Sequence, residues 1–178
     1  MRRILAVILT AIAVIIAFSP EAYCAKKKKS RAKTSQVQSQ PVKKQDPHSY
    51  YRGLTQEQAE QADSVARKIA EAVMSEKSLT SDLQRVKAAA GIVARYCSRC
   101  MYGNDPHKYY RSPYGVFVAG IFTCSGATRA LGRVLDFMGY KWEHANENQW
   151  SHQWCVVEMD GRKGFADGQL GAAGYGEY

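Results

Sequence analysis

The chain has 178 residues, enough for one domain of ordinary size and little more. Its formal net charge is +9, a value typical of nucleic-acid-binding domains when the charge lies on the fold itself. Here residues 26–52 hold nine basic side chains and one acidic one, whereas residues 53–178 hold 14 of each sign. The basic character belongs to a tail, so the sequence argues against a nucleic-acid partner for the domain.

The first 25 residues have the pattern of a secretory signal peptide. Arg2 and Arg3 form a basic start, and Ile4 to Phe18 is an unbroken run of apolar and small residues with a single Thr. The stretch 22–25 offers a small-residue cleavage site. The apolar run is shorter than the roughly 20 residues of a spanning helix, and an uncleaved signal anchor is the alternative. We expect residues 1–25 to direct the protein to secretion or to the cell surface.

Residues 26–52 are predicted to form a disordered basic linker. They are rich in Lys, Gln, Ser and Pro and contain almost no large apolar side chain before Tyr50. Such a segment buries too little apolar surface to offset the entropy lost on ordering. We interpret it as a solvated spacer. The alternative is a weak contact of its lysines with anionic polymer or lipid at the cell surface.

The domain is predicted to span residues 53–178 and to open with two amphipathic helices. Thr55 with Gln58, and Ser81 with Gln84, have the spacing of capping boxes, in which two side chains satisfy backbone amides at a helix start. Apolar residues recur at helical spacing after each box. Residues 101–114 contain Gly, Asn, Pro and four tyrosines and are predicted to form an irregular loop.

A third helix is predicted to begin at or next to Cys124 and to end at Gly139. Apolar side chains at spacings of three and four residues indicate a helix packed on a core by one face. They are Ala127, Ala130, Leu131, Val134, Leu135 and Met138. Unpaired amides and the positive dipole end at a helix start stabilise a thiolate, and the same amides can donate to an oxyanion. Cys124 is therefore a candidate nucleophile, and a buried structural cysteine is the alternative.

A β-hairpin is predicted to carry the partners of Cys124. Residues 150–159 alternate as in a strand, and Asp160-Gly161 is a strong signal for a two-residue turn. With that turn, residues equally far from it lie opposite one another, and His152 lies diagonal to Asp167 on the same face. Diagonal neighbours are roughly 7–8 Å apart at the backbone, so the two side chains can meet. His152 is the candidate base, and Asp167 is the candidate group that orients it.

From Ser81 to Asp167 the chain resembles the transglutaminase-like superfamily. The shared pattern is a cysteine that opens a core helix after a glycine-containing loop, then His-x-Trp on a strand, a turn, and an aspartate that ends the next strand. In this sequence the pattern is carried by Cys124, His152-Gln153-Trp154, Asp160-Gly161 and Asp167. The segment from Val86 to Tyr102 also resembles the helix and the following tyrosine that precede the cysteine loop in that superfamily.

The resemblance implies both a fold and a chemistry. The fold would be α+β and papain-like, with N-terminal helices and the cysteine-bearing helix packed on a small antiparallel sheet. The triad of Cys124, His152 and Asp167 would act on amide or peptide bonds through a thioester, with hydrolysis expected ahead of cross-linking to an amine. The expected substrate is a protein, a peptide or a cell-wall peptide. No cofactor and no metal is expected, and the oligomeric state is left open.

Two other functions stay open. Residues 122–126 are similar to the Asp-Cys-Ser-Gly element of a bacterial family of papain-like cell-wall peptidases, which would also pair Cys124 with a histidine. A non-catalytic module on the same fold could instead hold peptide or glycan at the cell surface through aromatic side chains, although core packing is an equal explanation for them. These side chains are Trp142, Trp150, Trp154, Tyr102, Tyr109, Tyr110 and Tyr114.

Three further residues carry weaker signals. His144, on a short predicted strand, is a competing base, but a surface or loop position is the simpler interpretation. Cys97 and Cys100 form a single C-x-x-C, which is only half of a zinc site. We expect a disulfide instead, either between these two cysteines or from one of them to Cys155, because the exported compartment is oxidising.

Overall fold

The computed structural model describes residues 48–178. The expected signal peptide, residues 1–25, and the expected linker as far as residue 47 lie outside the described residues. Within the described part of the chain, no helix is both long enough and apolar enough to cross a membrane.

The first two helices begin where the capping boxes predict. Helix α1 spans Gln56–Ser75 and helix α2 spans Asp82–Cys97. At α1 the Thr55 hydroxyl accepts from the Gln58 amide while the Gln58 side chain accepts from the Thr55 amide. The same reciprocal pair forms between Ser81 and Gln84 at the start of α2. Both predicted helix starts are confirmed.

The connection from α2 to the third helix is only partly irregular. Strand β1, Met101–Tyr102, pairs in parallel with strand β2, Ile121–Phe122. Between them lie a 3-10 turn, Tyr109–Arg111, and a turn of π-helix, Gly115–Ala119. The loop predicted over residues 101–114 therefore contains a short strand and a helical turn, because the parallel partner of β1 comes from far along the chain.

Helix α3 spans Cys124–Met138 with Thr123 as its N-cap, so it begins at Cys124, within the range expected from the sequence. It ends at Gly139, whose φ of 87° is the left-handed conformation that glycine adopts without strain. All six predicted apolar positions of the helix are buried. A Cβ atom at Gly126 would lie 2.3 Å from the Tyr110 carbonyl oxygen, so the loop before the helix rests directly on its first turn.

Four antiparallel strands form the main sheet, in the order β3-β4-β5-β6. They are β3, Trp142–Ala145, β4, Trp154–Met159, β5, Arg162–Asp167, and β6, Ala172–Tyr175. Helix α3 packs against β3 and β4 as well as against α1 and α2. The α+β class with a small antiparallel sheet is confirmed.

The hairpin between β4 and β5 has the predicted turn and register. Asp160 and Gly161 both have positive φ, at 52° and 69°, as a tight hairpin turn requires. Cys155 pairs with Ala166 at the far end of the hairpin, equally distant from the turn on each side. The predicted strand is too long, however, because it begins at 154 rather than at 150. Residues 150–153 belong to the connection from β3.

The folded part of the chain begins before residue 53. Tyr50 is 1% exposed, and its hydroxyl donates to Asp136 at 2.8 Å. The Tyr51 hydroxyl donates to Asp63 at 2.9 Å and is also buried. The linker expected over residues 26–52 therefore ends earlier than expected, because these two aromatic rings pack into the core with hydrogen-bonded hydroxyls.

Candidate active site

His152 and Asp167 are in direct contact. The Nε2 atom of His152 lies 2.6 Å from Oδ2 of Asp167, and the aspartate is 0% exposed whereas the histidine side chain is 32% exposed. A carboxylate only accepts, so Nε2 carries the proton of this hydrogen bond. The other ring nitrogen, Nδ1, is then left to exchange a proton with a nucleophile or a substrate.

The Asp167 carboxylate is held by four donors. Oδ1 accepts from the backbone amides of Gln169 and Leu170 at 2.7 and 3.0 Å. Oδ2 accepts from His152 and from the hydroxyl of Tyr178, the latter at 2.7 Å. A buried carboxylate is costly unless its lone pairs are paired, and here all of them have a donor. Asp167 is thus fixed in place before any substrate arrives.

The position of His152 depends on the connection that precedes β4. The Asn146 side chain donates to the His152 carbonyl at 2.9 Å, and Asn146 has a φ of 56°. The Trp154 ring stacks near the imidazole at a centroid distance of 6.2 Å. Local hydrogen bonding and stacking therefore orient a residue that lies outside a regular strand.

Cys124 is the first residue of α3, at the position predicted for a nucleophile. The N-cap residue Thr123 forms no side-chain cap, because its hydroxyl is directed to the Tyr110 carbonyl at 3.4 Å. The amides of the first helical turn are therefore not occupied by a capping side chain, and they can donate to an anion at this end of the helix.

Tyr102 is the side chain beside Cys124. Partial burial and the nearby Cys124 thiol raise the pKa of its hydroxyl. Its ring packs edge-on against Phe122 at 5.2 Å. In the sequence, Tyr102 is one of several candidate cleft aromatics and has no role of its own. The parallel pairing of β1 and β2 brings it to the helix start.

The end of the hairpin packs on the first turn of α3. The Cys155 thiol donates to the Thr128 carbonyl at 3.4 Å, and the Thr128 hydroxyl donates to the Cys124 carbonyl at 2.9 Å. A Cβ atom at Gly168 would lie 2.7 Å from the Ala127 carbonyl oxygen. Within residues 48–178 no hydrogen bond joins the Cys124 thiol to His152. The structure thus joins the candidate base, His152, directly to Asp167, and the candidate nucleophile, Cys124, lies on the helix turn against which the hairpin packs.

His144 does not compete as a base. It lies on β3 with its side chain 2% exposed, so the expected surface or loop position is wrong. Burial and the nearby Arg129 charge lower its pKa to about 4, because both disfavour the charged ring. Its Nε2 lies 2.7 Å from the Gln153 side-chain oxygen. This contact ties β3 to the residue that follows His152.

A buried arginine, Arg129, anchors the connection that carries His152. Its Nε donates to the His48 carbonyl at 2.7 Å, and its Nη2 forms an ion pair with Glu147 at 2.7 Å. Nη1 also contacts the Ser125 hydroxyl. A single side chain of α3 therefore holds three segments together. They are the residues before α1, the β3–β4 connection and the first turn of α3. Its only signal in the sequence is an arginine on an apolar helix face.

The expected disulfide is absent: all four cysteines of residues 48–178 are free. Cys100 donates to the Tyr96 carbonyl at 3.1 Å, whereas Cys97 points to the Gly168 carbonyl at 3.8 Å. The Cys155 thiol donates instead to the Thr128 carbonyl of α3. The two thiols of the C-x-x-C are directed at different carbonyls, and burial raises the pKa of Cys97, Cys100 and Cys155. These thiols therefore stay protonated at neutral pH.

Large apolar side chains close in sequence to these residues are exposed. Trp150 is fully exposed two residues before His152, and Leu170 is exposed shortly after Asp167. Tyr102 is 58% exposed next to Cys124. Trp142, in contrast, is buried and stacks on His48. Some of the predicted cleft aromatics are therefore surface groups near the site, and others belong to the core.

No group of three or more His, Cys, Asp or Glu side chains within residues 48–178 is arranged to hold a metal ion. Comparison of the chain with protein-family models, with curated proteins and with solved structures found no match.

Proposed function

We propose that this chain is an exported, thiol-dependent acyl-transfer enzyme of the transglutaminase-like kind with a papain-like core. Cys124 is its nucleophile, His152 its base and Asp167 the group that orients the base. The observation that carries the proposal is the 2.6 Å hydrogen bond between His152 Nε2 and Asp167 Oδ2. It joins the two residues that the sequence predicted to share one face of the hairpin.

The first half of the reaction makes a thioester. His152 Nδ1 takes the proton of the Cys124 thiol, and the sulfur attacks the carbonyl carbon of a substrate amide. A C–S bond forms while the carbonyl electron pair moves to oxygen. The Cys124 amide at the helix start and the neighbouring Tyr102 hydroxyl are the proposed donors to that oxyanion. The intermediate then collapses, the C–N bond breaks, and the leaving amine takes its proton from His152.

The second half releases the acyl group. His152 Nδ1 accepts a proton from water, and the hydroxide oxygen attacks the thioester carbonyl. The C–S bond breaks, the acid product leaves, and the thiolate recovers the proton. An amine in place of water would give a new amide, but hydrolysis is the proposed outcome. The buried charge of Asp167 stabilises the imidazolium that forms in both halves.

The substrate class follows from the surroundings of the site. Trp150, Leu170 and Tyr102 expose apolar surface beside the candidate residues, which suits an extended peptide with apolar or aromatic side chains near the scissile amide. A protein, a peptide or a cell-wall peptide fits this description. An exported enzyme would meet such substrates outside the cell.

Trapping of the thioester tests the proposal. The full-length protein is incubated with a mixture of acyl peptides and measured by intact mass spectrometry. An adduct on Cys124 that neutral hydroxylamine removes is the expected result, and Cys124→Ser should abolish it. Cys100→Ser is the matched control, since Cys100 is the other partly exposed cysteine of residues 48–178. Equal adduct formation in Cys124→Ser would overturn the assignment.

A non-catalytic peptide-binding module on the same fold is the second candidate. The fully exposed Trp150 favours it, because a large exposed indole is suited to holding a ligand. Binding without turnover would persist in Cys124→Ala and would be lost in Trp150→Ala. Turnover that depends on Cys124 would exclude this second function as the main one.

A further inference from the structure

Tyr178 lies over the pair formed by His152 and Asp167. Its hydroxyl donates to Asp167 Oδ2 at 2.7 Å, the same oxygen that holds His152 at 2.6 Å. Its ring centroid lies 5.7 Å from that of His152. It stacks on Trp154 at 4.6 Å and contacts Phe165 edge-on at 4.9 Å. One side chain therefore contacts both members of the pair and one residue of each of the strands β4 and β5.

A specific backbone turn brings Tyr178 to this position. Gly176 has a φ of 84°, a conformation that favours glycine, and its amide donates to the Lys163 carbonyl at 3.0 Å. The turn ends the pairing of β6 with β5. The chain then turns back, so that Tyr178 reaches Asp167 at the end of β5. Trp154 and Phe165 then receive the tyrosine ring. Sequence reasoning gave no role to this residue.

The hydroxyl of Tyr178 is a donor over the whole physiological range. Burial, the hydrogen bond to Asp167 and the charge of that carboxylate raise its pKa to about 12. It is therefore protonated wherever a histidine base works. Because this donor holds Oδ2, the rotation of the carboxylate is limited. The imidazole then has one geometry in which it keeps its own hydrogen bond to Oδ2.

We propose that Tyr178 is a positioning residue for His152 and Asp167. Its hydroxyl fixes the carboxylate oxygen that holds the base, and its ring covers the imidazole against water. The importance of this role for turnover rests on the proposed function, whereas the geometric role does not. Loss of the hydroxyl alone should loosen the pair, and loss of the ring should also expose it to solvent.

A histidine proton provides the direct test. In full-length protein labelled with ¹⁵N-histidine, the Nε2 proton of His152 is identified by its loss in His152→Ala. Its exchange with water should be slow in the wild type and faster by about tenfold in Tyr178→Phe, the effect of one hydrogen bond to a charged group. Tyr178→Ala should exchange faster still, because the ring is also removed.

Tyr175→Phe is the matched control. Its hydroxyl donates to Asp160 at 2.8 Å, a similar tyrosine–aspartate bond placed away from His152, so the exchange rate should match the wild type. An unchanged rate in Tyr178→Phe and Tyr178→Ala, with both variants folded by circular dichroism, would overturn the proposal.

A kinetic arm separates this proposal from the proposed function. Alkylation of Cys124 by iodoacetamide should slow in Tyr178→Phe if His152 activates the thiol. If His152→Ala slows the alkylation of Cys124 but Tyr178→Phe leaves its rate unchanged, the positioning role is overturned. If His152→Ala has no effect on alkylation, the proposed function fails. Proton exchange then still decides whether Tyr178 positions the pair.

Discussion

Gly168 lies against the carbonyl of Ala127, and this contact sets the distance between the end of β5 and the first turn of α3. An added Cβ atom at residue 168 would be 2.7 Å from the Ala127 oxygen and 3.0 Å from Leu131 Cβ. Neither neighbour can move far, because one is helix backbone and the other is a core residue. The position of Asp167 relative to Cys124 therefore depends on the small size of residue 168.

Gly168→Ala should destabilise the protein and displace Asp167. We expect a loss of about 1–3 kcal/mol in the free energy of unfolding, the usual effect of forcing an extra methyl group into a packed core. Urea denaturation measures it. Gly91→Ala is the control, since a Cβ atom there would meet nothing within 4 Å. It lies in α2, where alanine should add about 0.5–1 kcal/mol of stability. Equal stability of the two variants would contradict the contact.

Tyr102→Phe should lower turnover with little effect on substrate affinity. In the proposed reaction the Tyr102 hydroxyl, which lies beside Cys124, donates to the oxyanion, which exists only in the transition state and the intermediate. We expect kcat to fall by about tenfold to hundredfold, because Tyr102 is exposed and water can partly replace it. Tyr140→Phe, which removes a 2.7 Å bond to Asp82, is the matched control. A change in KM alone would argue against the oxyanion role.

Protonation of His144 should weaken the fold in mild acid. Burial lowers its pKa to about 4 in the folded state, whereas the unfolded ring titrates at its ordinary value of 6.5. The neutral ring therefore contributes stability that is fully present above about pH 6.5 and is lost as the pH falls towards 4, by up to about 3 kcal/mol. Urea midpoints at about pH 7 and about pH 4.5 measure the loss.

His144→Gln should lose less stability than the wild type over the same pH interval, since glutamine does not titrate. His107→Gln, at an exposed position, is the control for removing a histidine. A wild-type stability that falls no more steeply than that of His144→Gln would contradict the buried, neutral assignment.

Arg129→Gln should destabilise the protein by about 3 kcal/mol, because it leaves the Glu147 carboxylate and the His48 carbonyl without their partner. Glu147→Gln should cost less, since Glu147 is partly exposed and glutamine can still accept from the guanidinium. Unfolding midpoints in urea compare the two variants. Equal effects would mean that the ion pair, and not the network around Arg129, carries the stability.

The parts of the fold that the sequence predicted are those with local causes. The capping boxes at Thr55 and Ser81 need only three residues' spacing, and the Asp160-Gly161 turn sets the hairpin register by itself. The position of Cys124 follows from the apolar spacing of its own helix. The contact of His152 with Asp167 agrees with the predicted register, although His152 lies in the connection before β4 and Asn146 holds its carbonyl there.

The parts that could not be predicted depend on contacts between distant segments. Tyr102 reaches Cys124 only through the parallel pairing of β1 with β2, and Tyr178 reaches Asp167 only after the turn at Gly176. The polar composition around Tyr50 predicts a tail, because its partner, Asp136, lies 86 residues further on. The disulfide prediction was wrong because spacing along a chain does not determine where a thiol points.

The rate at which iodoacetamide alkylates Cys124 tests the central claim most directly, because it needs no knowledge of the substrate. The full-length wild type is compared with His152→Ala and Asp167→Asn at neutral pH, with modification at Cys124 read by peptide mass spectrometry. We predict a fall of about 100-fold in His152→Ala, the scale of a positioned general base, and a smaller fall in Asp167→Asn. Equal rates in all three proteins would contradict the triad.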